Sequence, residues 1–378
     1  MPLNLVSKPL TPVDEEFLAQ VREFTESKVC PGADAWEKDH VQPDLVREAI
    51  GRFTKYYIPK SLGGKEASAM TLSCGLEAMA WGDYGFTFAY QVHNAATKVI
   101  SGTANTDLLD RYLPKLMSGE MVGGLLLTEP EAGSDAASIR TSAVRREDGK
   151  WVLNGEKAWI TNAGTADLLL VFAQAGEGSK GIIAFCVERT TPGVELVEQY
   201  DMIGAHAMAT GAFRFTDCVV DERQMAYPQG QAFRAGLGGI DFARLAVASM
   251  CNGAYRRCLE VALAYTKERV QFKAPIYKNQ AVQFKLTDEV TKLEASRLLT
   301  YQAAKQFDDG ESPSLMVAHC KKFASLSSFD GAVKAMQCMG SNGLKRQYPI
   351  VRQLTGMAVS FNTDGTNDIC NLVIGRNI

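Results

Sequence analysis

Hydrophobic positions recur with a helical period through the first third of the chain. Phe17, Val21 and Phe24 fall at i, i+4 and i+7 behind the capping run Thr11-Pro12-Val13-Asp14. The spacing predicts helices, with breaks, to about residue 118. From Met121 to about 225 the texture changes to short β-rich runs: Trp151-Val-Leu, Leu168-Leu-Leu-Val-Phe, Gly181-Ile-Ile-Ala-Phe and Ala212-Phe-Arg-Phe. Asp148-Gly149 and Asn154-Gly155 read as turns around the first of them, which predicts a small antiparallel β domain. The helical period then returns, at Leu286, Val290 and Leu293 and again at Met316, Cys320 and Phe323, with Asp-Asp-Gly310 as a loop between two long helices. The expected plan is a helical domain over 1–120, a middle β domain over 121–231 and a C-terminal helical bundle over 232–378.

Composition narrows the classes. The 378 residues are 46% hydrophobic, enough for a large core, and 40 basic against 43 acidic side chains leave a formal charge of -3. That balance predicts neither nucleic acid nor membrane insertion, and no apolar stretch approaches spanning length. Nine cysteines without a CxxC pair read as reduced core residues, and an N-terminus without signal or transit features predicts a cytoplasmic protein. Four scattered histidines offer no metal-ligand spacing, so no metal is expected.

Candidate chemistry concentrates in a few segments. Gly176-Glu-Gly-Ser-Lys-Gly181 matches a dinucleotide-binding pattern, but a β-run follows where such a loop must open a helix, so it reads as a hairpin loop. Leu125-Leu-Leu-Thr-Glu-Pro-Glu-Ala-Gly-Ser-Asp135 places small residues and hydroxyls after an apolar strand, and Lys157-Ala-Trp-Ile-Thr-Asn162 adds an indole; together they suit a flat heteroaromatic ring, although Trp159 alone reads first as a core aromatic. Asp364-Gly-Thr366 puts a carboxylate and backbone amides on one turn, an arrangement able to remove a proton and steady the resulting charge. The ordinary reading of that turn is a helix N-cap.

Those segments, with Asp241-Phe-Ala-Arg244, Glu268-Arg-Val-Gln-Phe272, Gln280 and Gln337-Cys-Met-Gly340, resemble in the same order the acyl-CoA dehydrogenase family over nearly the whole chain. The resemblance implies an α+β fold with an N-terminal helical domain, a middle antiparallel β domain and a C-terminal four-helix bundle. It also implies an FAD enzyme that abstracts the α-proton of an acyl-CoA thioester while the β-hydrogen leaves as hydride to flavin N5. Asp364 stands where the family has its catalytic Glu, and Gly365 lets the backbone approach the substrate carbonyl. Leu125, Leu127, Thr128, Trp159 and Thr161 match flavin-ring positions, Thr366 and Asp368 further flavin contacts, and Ser134 a position meeting cofactor or CoA. Asp241 and Arg244 match a pair holding CoA, although alone they read as a surface i, i+3 ion pair. Arg269, Phe272, Gln280, Gln337 and Gly340 match residues that reach the flavin of a neighbouring subunit, which implies a homotetramer built as a dimer of dimers. Electron-transfer flavoprotein is the implied acceptor.

The chain departs from its family at the base. Ala243 occupies the alternative position for the catalytic carboxylate, which leaves Asp364 alone, and Asp is shorter than Glu by one bond of about 1.5 Å. Thr363 replaces the usual Tyr, while Thr355-Gly356, Lys273 and Ser341 are further departures. A shorter base beside a smaller neighbour favours an acyl group thick at its α-carbon. The Asp resembles the alicyclic branch, acting on cyclohexane-1-carboxyl-CoA, with other α-branched or cyclohexene-type thioesters as the alternative. Gln91 and His93 lie on a segment resembling the acyl-pocket wall, and the neutral Gln91 amide supplies no second base, which favours removal of hydrogen across C1 and C2. An oxidase, a lyase and a silent binding protein of the same fold are the rival readings.

Overall fold

The computed structural model describes residues 2–378 and divides into helices, a sheet and helices. The first group comprises α1 (Glu15–Phe24), α2 (Cys30–Asp39), α3 (Leu45–Phe53), α4 (Ala69–Ala80), α5 (Tyr84–Ser101) and α6 (Thr106–Ser118). Asp14 caps α1 by accepting from the Phe17 N–H, and Phe17, Val21 and Phe24 are all buried on one stripe. The last group comprises α7 (Ala232–Gly238), the long α8 (Ile240–Glu268), α9 (Gln280–Asp308) and α10 (Ser314–Cys338), then α11 (Pro349–Ala358) and α12 (Asn367–Gly375). Helices from both groups share a single hydrophobic core that runs from Phe17 to Met357.

Between them, eight strands form one sheet: β1 (Gly123–Leu126), β2 (Ser142–Arg145), β3 (Trp151–Ile160), β4 (Leu168–Gln174), β5 (Ile182–Glu188), β6 (Val194–Gln199), β7 (Gly211–Val220) and β8 (Met225–Tyr227). Their order is β6-β7-β3-β2-β4-β5-β8, with β1 beside β4. Most pairings are antiparallel, but β1 runs parallel to β4 because α6 delivers the chain to the sheet and β2 and β3 intervene before β4. In β4, Leu168, Leu170 and Phe172 enter one core and Leu169, Val171 and Ala173 another, which is why this strand reads as an unbroken apolar run. The Gly176–Gly181 loop joins antiparallel β4 and β5, as its context predicts.

Two local expectations change. Asn154-Gly155 is no turn: β3 continues through it with a register shift opposite β7, and Gly155 adopts φ +147°, where an added Cβ would lie 2.6 Å from Thr141. In α10, Cys320 is buried as expected, but Phe323 is exposed and Lys321 is wholly buried. All nine cysteines are free, and seven are buried. Among the described residues, no helix is long and apolar enough to cross a membrane.

Candidate active site

The Asp364 turn sits between the end of α11 and the start of α12, and two consecutive residues in left-handed backbone shape it: Asp364 at φ +53° and Gly365 at φ +82°. Asp is among the few side chains that enter this region readily. The helix-cap reading holds for Thr366, whose hydroxyl accepts from the Ile369 N–H at 3.2 Å, and leaves the Asp364 carboxylate free of capping duty.

Two buried cations hold the turn by its carbonyls. Arg244 Nε donates to the Asp364 carbonyl at 3.1 Å, and Lys321 Nζ donates to the Gly365 carbonyl at 2.9 Å and to Asn367 Oδ1 at 3.0 Å. Burial pushes the Asp364 carboxyl up to about 6, against the pull of the Lys321 and Arg244 charges. A half-buried carboxylate whose pKa is raised toward neutrality is suited to accept a proton. Burial likewise lowers the pKa of Lys321. Arg244 also pairs with Asp241 at 3.3 Å; this is the i, i+3 pair, with Arg244 buried and Asp241 half-buried rather than on the surface, and its guanidinium faces the Asp364 turn.

Polar atoms without hydrogen-bond partners gather around this turn and on α5. Tyr84, the first residue of α5, is buried beside Cys251 and Asp364, and its pKa is raised first by burial and then by those two groups. Gln91 Oε1, two turns further along α5, and Thr363 Oγ1 are also unpartnered. Tyr84, Phe88 and Gln91 follow at i, i+4 and i+7, which is one face of the helix. His93 is occupied elsewhere: its Nδ1 accepts from the Gly123 N–H at 2.9 Å and its Nε2 lies 3.1 Å from the Leu116 carbonyl. Burial lowers its pKa to about 3, so it stays neutral and fastens α5 to β1 and α6 rather than serving substrate.

The flavin-type motifs come together at the end of β3. A second register shift, between Lys157 and Ile160, throws Trp159 into left-handed backbone at φ +59° and leaves it 61% exposed, which removes the core-aromatic reading. The buried Lys157 ammonium donates to Glu129 at 2.7 Å and to the Leu127 carbonyl at 3.0 Å, and the Ala158 N–H donates to the Thr128 carbonyl at 3.0 Å. These bonds set Leu127 and Thr128 beside Trp159 and Thr161. Asn162, just beyond, donates to the Ala89 carbonyl of α5 at 3.0 Å. Since Ala89 lies about 7.5 Å along that helix from Tyr84, α5 ties the strand platform to the Asp364 turn. An exposed indole on a rigid bulge, with half-buried Leu125 and Leu127 and two threonines nearby, fits a planar heteroaromatic cofactor.

The remaining positions are exposed. Ser134 lies on an open loop, and Asp368 faces outward on α12. Arg269, Phe272, Gln280, Gln337 and Gly340 line the outer ends of α8, α9 and α10 and the short hairpin Val270–Pro275. At the hairpin tip, Phe272 and Lys273 both take positive φ, 52° and 65°, and Phe272 is 100% exposed. Lys321 and Tyr84 are the functional candidates missed in the sequence; nothing in their local pattern marks a lysine or tyrosine as facing the Asp364 turn.

This architecture is that of a known family. Its acyl-CoA dehydrogenase N-terminal, middle and C-terminal domain models match residues 11–120, 124–218 and 230–378, and the chain belongs to the acyl-CoA dehydrogenase family, oxidoreductases acting on CH–CH bonds. The mitochondrial isobutyryl-CoA dehydrogenase of Dictyostelium discoideum is 32% identical over 384 residues, covering 99% of this chain and 92% of that protein. The structure of butyryl-CoA dehydrogenase from Megasphaera elsdenii superposes with a TM-score of 0.93 at 29% identity, covering 98% of this chain and 99% of that one. The FAD complex of PigA superposes with a TM-score of 0.92 at 26% identity, with the same coverage.

Proposed function

We propose that the protein removes hydrogen from the α and β carbons of an acyl-CoA whose α-carbon is branched, with cyclohexane-1-carboxyl-CoA giving cyclohex-1-ene-1-carboxyl-CoA as the preferred case. The observation that carries this reading is the short Asp364 carboxylate, held at a pKa of about 6 on a turn clamped by Arg244 and Lys321. Asp364 takes the α-proton. As it leaves, negative charge grows on the thioester oxygen, and the backbone N–H of Asp364, which Gly365 lets come close, is the donor for it. Because Lys321 and Arg244 hold the carbonyls of the turn, the base is oriented before substrate arrives, and a misplacement of about 1 Å at such a base costs on the order of 10² in rate.

Leu125, Leu127, Thr128, Trp159 and Thr161 would hold the FAD ring, which supplies the acceptor for the β-hydrogen and its electron pair. Tyr84, Gln91 and Thr363 contribute polar atoms to the acyl side, and the small Thr363 leaves space beside the base. Arg244 acts through the turn, and Asp241 through Arg244. Arg269, Phe272, Gln280, Gln337 and Gly340 are assigned to a second subunit's cofactor in a homotetramer, and electron-transfer flavoprotein to the role of acceptor.

An open-chain α-branched substrate is the second reading, favoured by the 32% identity to an isobutyryl-CoA dehydrogenase. Anaerobic mixing of the yellow protein with cyclohexane-1-carboxyl-CoA, isobutyryl-CoA and butyryl-CoA separates the cases by the rate of flavin bleaching. Fastest bleaching by the ring compound supports the first reading and by isobutyryl-CoA the second; preference for butyryl-CoA removes both.

A further inference from the structure

Far from the Asp364 turn in sequence, two of the four histidines meet across the boundary between the helical and β domains. His40 closes α2 in left-handed backbone at φ +54°, and His206 lies in the connection from β6 to β7. Their imidazoles stack with centroids 3.8 Å apart. Asp201 Oδ1 stands 3.3 Å from His40 Nδ1, and one nitrogen or oxygen from each of His40, Asp201 and His206 lies within 4.8 Å of the others.

His206 is the unusual member. Its side chain is only 9% exposed, and while Nδ1 faces the Glu37 carboxylate, Nε2 has no hydrogen-bond partner among the described residues. A buried imidazole left in that state costs free energy unless something binds it. Its backbone is held firmly: Ala205 and Ala209 on either side take φ of +60° and +43°, and the His206 N–H donates to Glu37 Oε2 at 3.1 Å. Glu37 Oε1 sits 3.1 Å from His206 Nδ1, the arrangement in which a carboxylate orients a metal-binding histidine. A cavity of about 180 Å³ adjoins the three side chains, and the Thr210 hydroxyl on its wall is buried and unpartnered as well.

We propose that His40, Asp201 and His206 bind a divalent transition-metal ion of the Zn²⁺ type, with Glu37 orienting His206 and the cavity leaving a fourth position for water. Two imidazoles and a carboxylate are the ligand types such an ion selects, and the two carboxylates in the cluster favour a cation. Imidazole lone pairs lie in the ring plane, so rings stacked at 15° must splay to converge on one ion. His40, with half its side chain in solvent, is free to make that movement. The expectation of no metal rested on spacing along the chain, a criterion blind to side chains that α2 and the β6–β7 connection bring together from distant sequence.

The test uses the full-length FAD-loaded protein, stripped with chelator and titrated with Zn²⁺ against a chromophoric competitor, and with Co²⁺ followed by its visible absorption. One tight site per chain is expected, with a Zn²⁺ dissociation constant below about 1 µM. His40→Asn, at a surface position whose left-handed backbone Asn accepts, and His206→Asn should each weaken it at least 100-fold; the exposed His319→Asn should not. Flavin bleaching by acyl-CoA should be unchanged in His40→Asn. Absence of a stoichiometric site in the wild type, or equal affinity in folded His40→Asn, overturns the assignment.

Discussion

At Asp364 the fold and the proposed chemistry make opposite demands. Burial raises the carboxyl from its ordinary 3.8 to about 6, so the folded state holds the proton more tightly than the unfolded chain. The stability this confers is complete below about pH 4 and fades as pH rises through 6, whereas a base must be ionised to act. The kcat/KM for the best acyl-CoA should therefore fall about tenfold per unit below pH 6 and level off above it. Asp364→Asn should lose about 10²–10⁴ in rate and unfold at higher temperature than the wild type at pH 8 but not at pH 4. Equal activity, or a thermal midpoint that is lower at both pH values, would count against the assignment. Lys321 offers an independent check, because its charge lowers the Asp364 pKa while its ammonium fixes the turn. Lys321→Met should move the pH inflection upward and reduce kcat about 10²-fold with flavin content unchanged; a kcat loss without movement of the inflection would mean general damage to α10.

Among the elements, β3 and α10 show what alternation and periodicity reveal and what they conceal. The apolar stripe of α1 and the doubly buried β4 are legible because each residue obeys its own burial preference. The β3 bulges are not, since Asn154-Gly155 has the composition of a turn and only pairing with β7 keeps the strand running through it. In α10 a wholly buried Lys321 beside an exposed Phe323 reverses the usual preference, and the reason lies some forty residues on, in carbonyls that need a cation. The acidic turn and the Trp159 motif were visible as motifs, but the roles proposed for them, clamped base and exposed platform, depend on these non-local bonds. Trp159 makes its exposure testable. Because the indole is 61% exposed, Trp159→Ala should leave the thermal midpoint of the apoprotein nearly unchanged, while FAD affinity falls by up to about tenfold, the value of one aromatic stacking contact. Fluorescence of released flavin on dilution measures the second effect, and a large drop in apoprotein stability would return Trp159 to the core.

For the molecule as a whole, the hairpin Val270–Pro275 poses the largest physical problem. Phe272 is wholly exposed at its tip, and both tip residues, neither of them glycine, occupy left-handed backbone. Such strain at an exposed aromatic is costly for an isolated chain and persists where another surface covers it. Gln280, Gln337 and Gly340 are exposed on the neighbouring helix ends, so the same face offers polar groups around an apolar anchor, the usual anatomy of an interface. If a second subunit's cofactor lies under this hairpin, assembly and FAD binding are linked, and each strengthens the other. Phe272→Glu should then shift the sedimentation profile from tetramer toward smaller species and lower the flavin bound per chain, with both losses partly reversed by added FAD. A variant that stays tetrameric with full flavin content would show that the hairpin carries neither contact, leaving the site complete within one chain.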